Sequence, residues 1–562
     1  MTNTHYSRRH FIKTVSIGTG ALALGSLLSG CSKANFLHGV ASGDPLADRV
    51  VIWTRATPER DAKTVEVAWV VATDSQCKNI VGSGVENTDA ARDYTVKLDV
   101  SGLSPGRTYY YQFLSDDNRS PIGRTKTLPK GEVDTFSLAV MSCSNYPAGY
   151  FHVYAEVAAR DELNAVLHLG DYIYEYPKDG YATEDAEALG RVPVPATELI
   201  TLADYRQRYA QYRSDPDLQK AHGNHPFICV WDDHEIANNA WRKGAQNHNE
   251  NEGDWPERKA YAVQAYYEWL PVREPTDNFR ERLYRHFKVG NLLDLYMLDA
   301  RLIGRDEQLS FKDYLDKDTG KFSAERFRTD LSNPKRTLLG EQQRHWLLQH
   351  MTNSAATWQV LGQQVLAGSM TLPAPIATRQ MTMSEYSALA KQAKANPKSL
   401  TPEQAAALKA PAMAYNLDAW DGYPAEREML FSTARQLDKN LVVLAGDTHN
   451  AWANNLTTMD GTPVGVEFAT ASVSSPGLES YFPEEDPQKI AAGLVKMIPG
   501  LQYANLQYRG YLTVQFTTAR CLAQWRFIDT VKTKTYQVLD QHSKDIVTYP
   551  GAVNRKLSLP GA

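Results

Sequence analysis

The sequence predicts a mixed α/β protein in which an N-terminal all-β region precedes a larger domain of alternating strands and helices. Two observations predict this class. From residue 36 to about residue 128 the chain consists of short β-runs separated by turn residues, and beyond Pro129 apolar strand runs alternate with helical patterns. The length of the chain agrees with more than one domain, because removing 30 of the 562 residues as a leader leaves 532, too many for one hydrophobic core.

Residues 1–30 are predicted to be an export signal. Ser7-Arg8-Arg9-His10-Phe11-Ile12-Lys13 precedes an uncharged run that ends at Gly30, as in twin-arginine signals. Leu28-Ser29-Gly30-Cys31 resembles a bacterial lipobox, so we expect Cys31 to begin the mature protein and to carry lipid; the alternative is an ordinary cleavage site. The expected partner is the twin-arginine export machinery, and the expected location is the periplasm or cell envelope, anchored to the membrane.

The amino-acid composition narrows the possible classes of protein further. A hydrophobic fraction of 43% and a charged fraction of 22% are typical of a soluble globular protein. Sixty Lys and Arg residues face 65 Asp and Glu residues, and the net charge of -5 argues against a nucleic-acid partner. The five cysteines are too few for a dense disulfide framework.

Residues 31–130 are predicted to form a β-sandwich of immunoglobulin or fibronectin type. Strand runs at 50–54, 65–71, 94–100 and 109–113 are spaced as in that architecture. The turn before Tyr109 is typical of a corner that a tyrosine closes.

Residues 131–562 are predicted to form the α/β domain. Its strand runs are near-continuously apolar, which indicates buried strands. Two segments look like insertions: residues 178–203 are loop-rich, and residues 376–411 are rich in Ala and Lys and helix-prone. Either could cover a site, and surface decoration is the alternative.

Chemically active residues follow the strand runs. The tracts after four of them are Ser142-Cys143-Ser144-Asn145, Gly170-Asp171-Tyr172-Ile173-Tyr174, Asp232-Asp233-His234-Glu235 with Asn238-Asn239, and Gly446-Asp447-Thr448-His449. The carboxyl ends of strands are where open α/β sheets place their chemistry. Taken singly, Cys143 could be a packed core thiol, His234 a capping residue and Asn238-Asn239 a turn. Four such ends in one domain favour a shared metal site.

The chain resembles the PhoD-type alkaline phosphatases, a family of metallophosphoesterases. The resemblance rests on motifs in the same order over nearly the whole mature chain: residues 36–45, 142–146, 168–176, 231–235, 298–301, 420–424 and 446–449. It implies a calcineurin-like four-layer sandwich of two β-sheets flanked by helices, preceded by the immunoglobulin/fibronectin-like domain.

The resemblance also implies roles for single residues. Asp171 would bridge two metals, Fe³⁺ would be bound by Cys143, Tyr174 and His449, and Ca²⁺ by Asp233 and Asp447, with Asn238 or Asn239 at an additional calcium. The residue types suit these ions, because thiolate and phenolate neutralise a trivalent ion while oxygen-only ligands suit Ca²⁺. Simpler metallophosphoesterases have Asp in place of Cys143, so metal identity follows from the PhoD type alone.

The implied activity is hydrolysis of phosphate mono- or diesters by metal-activated water. His234 is the candidate general acid, and Asn145 and Arg301 are candidate phosphate contacts, although Arg301 could equally pair with Asp299. Two alternatives stay open: a phospholipase-D-like phosphodiesterase that acts on lipid or envelope diesters, and a non-catalytic, metal-dependent binding lipoprotein.

Overall fold

A computed structural model describes residues 33–561, except residues 278, 379 and 415. The predicted export signal and Cys31 therefore lie outside the described residues. Within the described part of the chain, the helices are all too short or too polar to cross a membrane.

The described part of the chain contains both β-strands and α-helices. The strands are β1 Ala34–Asn35, β2 Val40–Gly43, β3 Arg49–Arg55, β4 Thr57–Pro58, β5 Val65–Ala72, β6 Ile80–Thr88, β7 Thr95–Ser101, β8 Thr108–Ser115, β9 Asn118–Arg119, β10 Gly123–Lys126, β11 Thr135–Met141, β12 Ala165–His168, β13 Pro226–Cys229, β14 Arg285–Val289, β15 Leu293–Met297, β16 Trp358–Gly362, β17 Thr371–Pro373, β18 Ala412–Ala414, β19 Leu441–Ala445, β20 Ala451–Thr457, β21 Pro463–Ala469, β22 Leu501–Asn505, β23 Arg509–Thr517, β24 Cys521–Ile528 and β25 Lys544–Thr548. The α-helices are α1 His152–Ala158, α2 Ala186–Leu189, α3 Leu202–Arg213, α4 Pro216–Asn224, α5 Trp255–Trp269, α6 Ala324–Leu331, α7 Gly340–Asn353, α8 Ala374–Ala377, α9 Met383–Ala395, α10 Pro402–Lys409, α11 Pro424–Gln436 and α12 Pro487–Met497.

Two large sheets form the centre of the molecule. One runs in the order β25-β24-β23-β11-β12-β13-β2-β3-β7, and the other in the order β14-β15-β16-β19-β21-β20-β22. Neighbours β11, β12 and β13 are parallel, as are β15, β16, β19 and β21. Leu167 of the first sheet shares one buried cluster with Val360 and Val442 of the second, so the sheets pack on each other.

Helices pack on both sheets. Val157 of α1 and Tyr209 of α3 belong to the cluster shared by the two sheets. Leu347 of α7, Leu430 of α11 and Leu494 of α12 form a second cluster with residues of β15, β16 and β19. The prediction of a mixed α/β domain with buried strands is confirmed.

The N-terminal strands are divided between two layers. β10, β8, β5 and β6 form a separate sheet that packs on β2, β3 and β7, with Ile52 and Phe113 in the shared core. The hydroxyl oxygen of Tyr109 accepts a hydrogen bond from the Ser104 backbone N–H at 2.8 Å, which closes the predicted corner. β2, however, also pairs with β13, so one layer of this β-region continues the large sheet of the α/β domain.

The segment 376–411 is helical. It contains the second half of α8, all of α9 and all of α10, and both α9 and α10 begin with a capping box, at Thr382 and Thr401. β17 and β18 pair in antiparallel fashion at its base and hold its two ends together.

Candidate metal centre

Four strands deliver the predicted ligands to one place. Cys143 follows β11, Asp171 and Tyr174 follow β12, Asp233 and His234 follow β13, and Asp447 and His449 follow β19 of the other sheet. β11, β12 and β13 are parallel neighbours, so their carboxyl ends meet at one edge.

Glycines let the turns at this edge approach each other. A Cβ on Gly170, whose φ is +100°, would lie 2.4 Å from the Cβ of Asp232, so only glycine lets the turn after β12 contact the turn after β13. A Cβ on Gly446 would lie 2.8 Å from the Cβ of Ser142, so the glycine lets the turn after β19 contact the turn after β11. The close approach of the turns brings the ligand clusters together.

Several of the predicted ligands have strained backbone. Cys143, Asp171, Asp447 and His449 have φ values of 61°, 55°, 61° and 60°, in the left-handed region that non-glycine residues rarely adopt. Each such residue costs on the order of 1–3 kcal/mol, and such strain concentrates at functional sites. The orientation of these four side chains therefore costs the folded protein some stability, which the surrounding structure must offset.

One cluster combines a thiol, a phenol, a carboxylate and an imidazole. Ligand atoms of Cys143, Asp171 and His449 lie within 4.8 Å of one another. The hydroxyl of Tyr174 lies 3.1 Å from Asp171 Oδ2 and 3.2 Å from His449 Nε2. The residues predicted to bind Fe³⁺ are thus together around one point.

Two further clusters adjoin the first. Asp171, Asp233 and His234 form one, and Asp232, Asp233 and Asp447 form the other, again within 4.8 Å. Asp171 is shared with the first cluster, as expected of a bridging carboxylate. Asp232 stands in a tract that the sequence singled out, yet no ligand role was predicted for it.

Burial makes these acids resist ionisation. It raises the pKa of Asp447 to about 7, and it raises the pKa values of Asp171, Asp232, Cys143 and Tyr174 well above their usual values. Two carboxylate oxygens, Asp171 Oδ1 and Asp232 Oδ2, are buried without a hydrogen-bond partner among the described residues. Buried acceptors of this kind suit a multivalent cation.

Arg301 is fully buried among carboxylates. Its Nε donates to Asp232 at 2.5 Å, and its two terminal nitrogens lie 2.8 Å from Asp418 and 3.5 Å from Asp447. Asp299, the alternative partner suggested by the sequence, instead accepts from the backbone N–H groups of residues 301, 302 and 303. The role of Arg301 as a phosphate contact stays a prediction.

The three candidate asparagines lie close to the clusters. Asn145 is buried; its Nδ2 donates to the Tyr181 carbonyl oxygen at 3.4 Å, and its Oδ1 has no partner among the described residues. Asn239 donates its backbone N–H to Asp233 Oδ2 at 2.6 Å. Asn238 and Asn239 both point an amide nitrogen at Gln246 Oε1, at 3.3 and 2.5 Å.

The chain matches known proteins over most of its length. A family model described as "PhoD-like phosphatase" matches residues 138–525, and a model of the N-terminal domain of the same family matches residues 26–129. Alkaline phosphatase D of Bacillus subtilis (strain 168) is 33% identical over 559 residues, covering 94% of this chain and 85% of the relative. The chain belongs to the PhoD-like phosphatase family.

A solved structure agrees with this assignment. The structure titled "Structure of PhoD" superposes with a TM-score of 0.75 at 32% identity, and the match covers 94% of each chain. Membership of the PhoD-like phosphatases makes this protein a phosphoesterase. The matched region contains every predicted metal and catalytic residue.

Within this phosphoesterase, His234 has a partner outside the ligand clusters. Its Nδ1 lies 2.7 Å from Oε2 of the fully buried Glu175, and its ring stacks on Tyr174 with centroids 4.3 Å apart. Charges of Asp233 and Glu175 outweigh burial and raise the pKa of His234. Glu175 was not predicted, although it follows Tyr174 directly.

Glu235 is a second residue that sequence reasoning missed. Its carboxylate accepts hydrogen bonds from the backbone N–H groups of Asp171 and Tyr172, at 3.1 and 2.5 Å, and of Asp232, at 2.8 Å. It therefore fastens the turn after β12 to the turn after β13. Asp418, which binds both Arg301 and Arg305, was also missed because no strand run precedes it.

Proposed function

We propose that this phosphoesterase is an exported, metal-dependent alkaline phosphatase of the PhoD type that hydrolyses phosphate mono- or diesters. The observation that carries the proposal is the position of Asp171, whose carboxylate clusters with Cys143 and His449 and also with Asp233 of the oxygen-rich side, since a carboxylate placed in this way can bridge two cations. The matching family supports the phosphatase activity.

We assign Fe³⁺ to the cluster of Cys143, Asp171, Tyr174 and His449. The donor chemistry fits, because thiolate, phenolate and carboxylate together neutralise a trivalent ion. Burial lowers the pKa of His449 to about 3, so its imidazole is neutral and able to act as a ligand near neutral pH.

We assign Ca²⁺ to the oxygen-rich side of the centre. Asp233 and Asp447 supply carboxylates there, Asp232 adds a third, and Asn238 or Asn239 would hold an additional calcium. Hard oxygen donors are those that Ca²⁺ prefers. The unpartnered Asp232 Oδ2 is the observation on this side that fits a bound cation.

Bound ions in such a centre would supply positive charge that polarises the phosphoester and lowers the pKa of a water molecule. Glu175 holds His234 through Nδ1, which leaves Nε2 on the opposite side of the ring to donate a proton to the leaving oxygen. Arg301 is held among Asp232, Asp418 and Asp447, where its charge limits repulsion between these carboxylates.

The test of this function is turnover of an aryl phosphomonoester and a matched diester by metal-replete protein. Asp171→Asn removes the shared charge and should abolish both activities together with metal binding, whereas the exposed Asp318→Asn should change neither. Retained activity and metal in Asp171→Asn would contradict the proposal. A strong preference for the diester, extended to lipid diesters, would favour the phospholipase-D-like alternative.

Export and lipid anchoring are proposed from the sequence of residues 7–31. Cys31→Ala should block processing or release the protein from membranes, while Cys77→Ala, at a half-buried cysteine of the β-region, should not. Unchanged processing and membrane fractionation of Cys31→Ala would overturn the anchor.

A further inference from the structure

A polar cavity of about 340 Å³ opens beside the metal centre. Three segments line it: residues 239–246 after β13, residues 307–313, and residues 416–418. We refer to this cavity as the side cleft. Asn239, one of the two asparagines assigned above to an additional calcium, stands on its wall.

Residues that line the side cleft form hydrogen bonds with residues of the centre. Asn239, on its wall, donates its backbone N–H to Asp233 at 2.6 Å. Asp418, on the opposite segment, accepts from Arg301 at 2.8 Å and from Arg305 at 2.5 Å. A group attached to a phosphate at the centre could therefore extend into the side cleft.

The wall offers two aromatic side chains, Trp241 and Phe311, and several acceptors. Trp241 is half-buried, and its indole lies over Gly244, where a Cβ would come within 2.6 Å of the ring. Gln308 Oε1 is buried without a hydrogen-bond partner among the described residues. The side chains of Glu307 and Asp313 are exposed and form no salt bridge within the described part of the chain.

The charged side chains on the wall of the side cleft are negative. The described residues that line the side cleft include Glu307, Asp313 and Asp418 but neither lysine nor arginine. Asp418 is compensated by Arg301 and Arg305, but Glu307 and Asp313 form no salt bridge within the described part of the chain. A second phosphate in the cleft would meet these two unpaired carboxylates, and like charges placed together are unfavourable. The buried Gln308 Oε1 would be left unpaired by an alkyl chain.

We propose that the side cleft is a leaving-group subsite for an alcohol that carries several hydroxyl groups and no further negative charge. The hydroxyl groups of the alcohol donate hydrogen bonds to Gln308 and to the carboxylates, while the indole of Trp241 covers the carbon skeleton of the alcohol. This inference rests on the proposed phosphoesterase function and names the substrate class of the same site.

Four monoesters of six-carbon primary alcohols test it on metal-replete full-length protein, because their leaving groups are chemically matched. They are hexyl phosphate, sorbitol 6-phosphate, 6-aminohexyl phosphate and 1,6-hexanediol bisphosphate. We expect kcat/KM to be highest for the sorbitol ester and lowest for the bisphosphate. Trp241→Ala should reduce the advantage of the sorbitol ester over the hexyl ester about tenfold.

Two further variants sharpen the test. Glu307→Lys should raise kcat/KM for the bisphosphate relative to the hexyl ester, because it adds a cation to the wall. Trp346→Ala, which removes a half-buried indole on α7, should leave the order of substrates unchanged.

Equal kcat/KM for the sorbitol and hexyl esters, or an equal loss on both in Trp241→Ala, would overturn the subsite while leaving the phosphoesterase intact. A preference for the aminohexyl ester would also overturn it, in favour of a cationic leaving group. Failure to hydrolyse any of the four esters would instead contradict the proposed function.

Discussion

His234 differs from the ligand candidate His449 in the partner of its Nδ1, which is the Glu175 carboxylate for His234 and the Pro476 carbonyl oxygen for His449. If His234 acts as a general acid, His234→Ala should retain metal and lower turnover about a hundred- to ten-thousand-fold on an alkyl phosphoester, whose leaving oxygen needs a proton. An aryl ester should be slowed less. Turnover and metal stoichiometry on both esters provide the measurement.

Two outcomes would contradict this role. Loss of metal from His234→Ala would make His234 a ligand, and equal slowing of both esters would mean that it orients the phosphate. His222→Ala is a suitable control, since this histidine is also fully buried but its Nε2 contacts the hydroxyl of Tyr172 at 2.9 Å.

At the scale of single residues, the sequence predicted which strand-end side chains come together, but it did not predict the buried residues that bind His234 and Arg301. Cys143, Asp171, Tyr174 and His449 converge as expected, because they follow strands whose ends meet. Glu175 and Asp418 escaped prediction because their roles depend on partners 59 and 117 residues away, and a single sequence does not reveal such pairs.

Between elements, Glu235 is the residue that joins the turns after β12 and β13. Glu235→Ala would leave three buried backbone N–H groups without acceptors, so it should lower the free energy of unfolding by roughly 1–3 kcal/mol for each group that stays dry. Denaturant unfolding monitored by circular dichroism measures this. Glu252→Ala, at a partly exposed carboxylate paired with Arg258, is the control, and a loss no larger than the control's would contradict the role.

The strands of the α/β domain could be predicted because they are continuously apolar and end in turn residues. The pairing of β2 with β13 could not, because β2 has only four residues and its partner follows more than 180 residues later. Long-range pairing of this kind leaves no local pattern in the sequence, and the β-region therefore looked like a separate sandwich.

For the molecule as a whole, the buried acids link metal content to stability. Burial raises the folded-state pKa of Asp447 to about 7 and of Glu235 to about 8, above the usual values near 4. The folded, metal-free protein thus binds more protons than the unfolded chain at neutral pH, and its stability falls as pH rises. The pKa of His234, which is also raised, acts with the same sign.

Metal-free protein should therefore unfold more easily at pH 9 than at pH 7, and added metal should reduce the difference because cations favour the ionised acids. His449, whose lowered pKa works in the opposite direction, has finished titrating below this window. Thermal unfolding with and without chelator at the two pH values is the measurement. Equal or greater stability of the metal-free protein at pH 9 would refute this linkage.

The central claim is that the four strand ends build an iron-containing metal centre. Metal analysis combined with visible absorption of the purified protein tests it most directly, because phenolate or thiolate bound to Fe³⁺ absorbs visible light. We expect bound iron and calcium, a coloured protein, and a band that Tyr174→Phe bleaches or shifts while Tyr261→Phe does not. Colourless, iron-free protein with full activity would contradict the claim.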